Sequence, residues 1–180
     1  GSGAGTALTT GSYNVALGYN ALNAEDTGSR STAIGYFALD SQNNDAANHN
    51  TAVGFTALEK TTSGLYNVAC GSQALNANTT ASNNNAVGYN ALLSNTTGSH
   101  NNAFGTLALD ANTTGSQNVA MGSNALGANT TASNSVAIGH TALAANTTGS
   151  SNTAVGTDSL KDNTTGTNNV AVGENALANN

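Results

Sequence analysis

The residues able to do chemistry are few in this chain, and they do not converge. Cys70 is its only cysteine, so no intrachain disulfide can form. It occupies a slot filled elsewhere by Val, Ile, Leu, Met or Phe. A free cysteine in such a slot is expected to be buried as a small hydrophobe. His49, His100 and His140 lack the spacing of metal ligands. The nine acidic residues are scattered and never form a repeated column, and the Gly-Gly-x-Gly-x-Asp calcium repeat is absent. Ser, His and Asp all occur, but no nucleophile elbow does, and a chain this rich in Ser contains triads by chance. The expectation is therefore no enzyme, no metal and no cofactor.

The elements that would have to position such groups are unusual. Only 7% of the 180 residues are charged and 4% aromatic, and there is no Pro or Trp. Disordered chains combine low hydrophobicity with charge and Pro, both scarce here. An ordered repeat is the alternative. The motif Asn-x-Ala-apolar-Gly-x-x-Ala-Leu recurs ten times, with glycines from Gly18 and Gly35 to Gly156 and Gly173. The period is 17 residues, with one two-residue insertion within 43–49. Ala stands two residues before every Gly, and Leu four residues after it. Those leucines are Leu22, Leu39, Leu58, Leu75, Leu92, Leu109, Leu126, Leu143, Leu160 and Leu177, the expected structural core.

Pieces such as Asn14-Val15-Ala16-Leu17-Gly18 read as short strands, and Asn-Thr-Thr-Gly-Ser pieces as turns. One repeat cannot bury its apolar face, but stacked repeats can. The pattern predicts an all-β parallel solenoid of about ten coils, with two short strands per coil. Residues 1–12 read as a degenerate first coil, at Ala4-Gly5-Thr6-Ala7-Leu8, or as a cloning scar; residues 13–180 read as a continuous solenoid. Alternation puts the apolar slot on one strand face and Ala with Gly on the other. One face would line the interior, and the small-residue side is expected to admit a second chain. The ends carry no capping repeat, which predicts a longer fibre or end-to-end stacking.

Three columns are candidates for function. Asn stands four residues before most glycines, from Asn14 to Asn169, and stacked amides there can bond along the axis. The Asn-Thr-Thr column starts at Asn78, Asn95, Asn112, Asn129, Asn146 and Asn163. It reads as a solvated surface turn. Each copy also fits the Asn-x-Thr glycan acceptor, and a Thr rank could bind ice, though only one Thr of each pair could face it. Tyr19, Tyr36, Phe55 and Tyr89 follow their glycines directly, and this stripe could contact a glycan or partner, or simply pack.

The three basic residues, Arg30, Lys60 and Lys161, are scattered, and net charge is −6. Nucleic acid and anionic membrane surfaces need clustered cations, so neither is expected as a partner. No apolar run approaches membrane-spanning length, and no direct membrane insertion is expected.

Segments such as Asn134-Ser135-Val136-Ala137-Ile138-Gly139 resemble the head repeats of YadA-like trimeric autotransporter adhesins. Similar repeats occur in phage-type tail fibres. The resemblance implies a left-handed β-roll assembled as a homotrimer on a cell or virion surface, hence extracellular. It also implies a structural or adhesive role toward a host-surface glycan or protein. The repeat here is longer than the usual head repeat. The competing expectation is a monomeric solenoid binding a repetitive surface such as ice.

Overall fold

The computed structural model describes residues 1–179. Its ten strands each have three residues: β1 Val15–Leu17, β2 Thr32–Ile34, β3 Thr51–Val53, β4 Val68–Cys70, β5 Asn85–Val87, β6 Asn102–Phe104, β7 Val119–Met121, β8 Val136–Ile138, β9 Thr153–Val155 and β10 Val170–Val172. They form one parallel sheet in chain order. Ala pairs with Ala from Ala16 to Ala171 along the whole ladder. The fold is thus a β-solenoid turning once every 17 residues or so. With strands about 4.8 Å apart, nine steps make the sheet roughly 43 Å long.

The insertion leaves the sheet register intact. Gln42 stacks on Glu25 at the usual step, and the extra residues are taken up before His49, whose positive φ repeats that of Arg30. Asn44 accepts the Ala46 N–H at 3.0 Å, closing a local turn within this stretch.

Each coil has one strand, not two. Where a second strand was expected, Gly-x-x-Ala-Leu adopts positive φ at alternate residues: Gly88 at 137°, Asn90 at 57° and Leu92 at 53°. Such a segment cannot extend. It still bonds between coils, since Asn90 N donates back to Ser72 O at 3.1 Å and Leu92 N forward to Ala108 O at 3.0 Å. A left-handed φ costs a non-glycine residue about 1–2 kcal/mol. Burying the Leu side chain contributes about 1.5–3 kcal/mol, and packing holds the conformation in place. Residues 1–12 stack as a partial first coil. Gly3 and Gly5 occupy the two left-handed slots, and Leu8 packs against the core.

The strand faces are the reverse of the small-face-out expectation. The central Ala of each strand points inward, fully buried from Ala33 to Ala154. The flanking apolar residues point out: Leu17 is 59% exposed, Phe104 and Met121 41%, and Ile138 38%. Cys70 is exposed for the same reason, and is not the buried hydrophobe its slot suggested. Leu22 through Leu160 are fully buried and come from the left-handed segment, filling the interior the strand leaves to Ala. Leu177, in the last described coil, is 52% exposed.

Candidate functional site

The other half of the interior is polar. Asn78, Asn95, Asn112, Asn129 and Asn146 are fully buried and Asn163 nearly so, which corrects their reading as a surface turn. An amide with no exposure presents nothing for a glycan. Asn112 Nδ2 donates to Asn95 Oδ1 at 2.8 Å, Asn129 Nδ2 to Asn112 Oδ1 at 2.8 Å, and Asn163 Nδ2 to Asn146 Oδ1 at 2.9 Å. The second Asn column converges on the same carbonyls. Gly98 O accepts both Asn95 Nδ2 and Asn84 Nδ2, each at 2.9 Å. Asn84 Oδ1 in turn accepts the Asn101 N–H at 2.9 Å. Buried polar groups cost free energy unless they are bonded. Here the two columns satisfy each other and the corner carbonyls, so they act structurally and hold the register.

Near the insertion the ladder changes chemistry. Glu25 is fully buried in the slot Asn takes later. Its carboxylate accepts Gly28 N–H, Gln42 Nε2 and Asn48 Nδ2, each at 2.8 Å. Among the described residues no cation pairs with it, and these three N–H donors are what its oxygens meet.

The titratable groups form no reactive constellation among the described residues. No cluster of three or more His, Cys, Asp or Glu is placed to hold a metal. Burial and the Glu59 carboxylate raise the Asp40 carboxyl above the usual range, and burial raises Asp110. The Thr141 hydroxyl, ahead of Lys161, lowers Asp158, which pairs with Lys161 Nζ at 3.3 Å. His49 stacks on Tyr66 at 5.3 Å, whereas His140 lies in the column directly after glycine.

Two surfaces stand out. The first is the outward strand face, a continuous column from Leu17 to Val172 with Val15, Val68, Val119, Val136 and Val170 beside it. The second is the aromatic column beyond the glycines. Tyr19 and Tyr36 stack at 5.3 Å with ring planes 16° apart, and Tyr36 and Phe55 at 5.4 Å and 6°. Phe37 packs edge-on against Tyr36 at 4.5 Å. The rings stack coil on coil, so their faces look along the axis and solvent meets mainly their edges. In the Asn-Thr-Thr copies the second Thr is exposed, from Thr80 to Thr165, while the first is more covered in all but the last copy.

The described residues define a parallel β-solenoid with a hydrogen-bonded amide interior and an apolar outer face. Comparison of the chain with family models, curated proteins and solved structures returned no match.

Proposed function

We propose that the chain is a structural and adhesive segment of an extracellular trimeric fibre. Three copies pack their outward strand faces around a common axis, as left-handed rolls, without catalysing a reaction. The observation that carries this reading is the apolar column itself. It runs the length of the sheet, with Leu17, Phe104, Met121, Ile138 and Val172 each between 38% and 70% exposed. A continuous stripe of this kind is unusual on a monomer and marks an interaction surface. Its match in length and register to an identical column makes a second copy the natural occupant. Burial there needs no charged groups, and the sheet face carries none.

The competing monomeric reading draws on the exposed Thr column, whose members repeat at each coil step. One experiment separates the two. Sedimentation equilibrium is expected to give three times the 17.6 kDa chain mass. Phe104→Asp with Met121→Asp should reduce that to the single-chain mass while keeping the β circular dichroism signal. A wild-type monomer at high concentration contradicts the fibre reading. If that monomer also shows thermal hysteresis in ice growth, the Thr column takes its place.

A further inference from the structure

The outer face continues past both ends of the strand. The residue five before each repeat glycine is exposed in every coil, from Tyr13 to Asn168. The residue directly after the glycine is exposed in every coil but one, where Ser72 is half-buried. The positions between them alternate, with the residue four before buried from Ser31 to Asn152 and Ala two before buried from Ala33 to Ala154. Two flanking columns therefore border the apolar column. On the first flank Arg30 lies over Tyr13 at 5.9 Å, and His49 stacks on Tyr66 at 5.3 Å. The second flank is the ladder of Tyr19, Tyr36 and Phe55. Tyr66 and Tyr89 end the tyrosines of the two flanks, and neither flank carries Tyr or Phe in the last five coils.

Within a coil the flanks differ in size in a complementary way. The coil with Ser72 on one flank has Tyr66 on the other, and the coil with Tyr89 has Asn83. Tyr36 shares its coil with Arg30, which among the described residues makes no ion pair. Area points the same way. The two outward strand columns alone offer about 400 Å² per copy, half of what a partner in a standard interface buries. With both flanks included, the face reaches about 850 Å². A threefold arrangement is heterologous: one edge of the patch meets the opposite edge on the next copy.

We propose that the fibre is clasped between copies along its first five coils, the Tyr19–Tyr36–Phe55–Tyr89 flank of one chain meeting the Tyr13–Arg30–His49–Tyr66 flank of the next. Tyr66 then stands against the small Ser72 and Tyr89 against Asn83, while Arg30 meets Tyr36. Tyr and Arg are the side chains that dominate interface energetics, through flat area, a polar tip and attraction of a cation to a ring. Beyond the fifth coil the assembly rests on the apolar column alone. The clasp rests on the trimeric fibre reading and adds to it which residues meet.

The test uses the full chain in a Cys70→Val background, with mass read by sedimentation and contact by a short bis-maleimide. Tyr66→Cys with Ser72→Cys is expected to give covalent dimers and trimers on a denaturing gel. The strand between the two positions holds them apart within one chain, and each single variant should give only the single-chain band. Tyr66→Ala should raise the concentration for half-assembly about tenfold, and Thr157→Ala should leave it within about twofold, with circular dichroism unchanged in both. A trimeric mass with no link in the double variant, or with equal links in a single variant, would overturn the clasp and leave the fibre reading standing. Products that stop at the dimer would overturn it in favour of a twofold contact. A monomeric mass would end the fibre reading and the clasp together.

Discussion

Gly105→Ala is expected to destabilise the solenoid by about 4 kcal/mol, from backbone strain and overpacking together. A Cβ at this position would meet Gly122 O at 2.5 Å and Gly122 C at 2.6 Å. Both are backbone atoms of the next coil, so no side chain can swing away to relieve the clash. The φ of +142° adds a conformation that side-chain-bearing residues rarely adopt. Neighbouring coils would have to separate. In a stacked array, that weakens the interface on which propagation depends. Gly127→Ala is the control. Its Cβ would meet Asn124 Oδ1, the far end of a side chain that can swing away, and other coils carry Leu93, Asp110 and Ala144 in the same slot. Urea titration followed by circular dichroism should show a much larger loss for Gly105→Ala. Equal losses would mean the coils are not stacked this closely.

Leu92→Ala should cost about 3 kcal/mol. Leu92 is fully buried, in a column with Leu75 below and Leu109 above. Its φ of +53° is imposed by the segment, so Ala inherits the strain while losing the packing that offsets it. The melting temperature should fall by about 10 °C. Leu93→Ala, at a partly buried position outside that column, should cost clearly less. A similar cost at both leucines would place the column outside the core.

The repeat, the parallel ladder and the leucine column could be read from spacing alone, because Ala and Leu recur at fixed distances from each Gly. The orientation of the strand could not. Alternation says that Val15 and Leu17 share a face, but not which face is inside. The interior is narrow, and Leu22 enters it from the other side of the coil, so only Ala16 and its equivalents fit beneath the strand. That sends Leu17, Cys70 and Phe104 outward. The Asn-Thr-Thr segments carry turn chemistry, and a turn residue is ordinarily solvated. What hid the burial of Asn112 is that its partners, Asn95, Asn129 and Gly115 O, come together only once coils stack. The left-handed leucines carried no signal, since Leu has no preference for that conformation. For the aromatic column, the sequence showed the uneven distribution of rings. It did not show that the rings of Tyr19, Tyr36 and Phe55 stack on one another from coil to coil.

The glutamate in the amide ladder follows the same logic. Glu25, Gln42 and Asn50 are linked side chain to side chain, with Gln42 Nε2 also donating to Ser31 Oγ at 2.9 Å and its Oε1 accepting Asn50 Nδ2 at 2.7 Å. Longer amide and carboxylate side chains bridge the two Asn columns where the insertion changes the coil's length. The polar interior thus accommodates a longer coil that an aliphatic interior would meet with a void.

The whole account depends on residues one period apart lying over one another. Spin labels at Thr80→Cys and Thr165→Cys, in a Cys70→Val background and diluted with excess unlabelled Cys70→Val chain so that only distances within one chain are read, mark one exposed column five coils apart. Pulsed dipolar spectroscopy is predicted to give a single narrow distance near 24 Å, five strand spacings. A broad distribution, or a centre displaced by more than one coil step, would contradict the stacked solenoid.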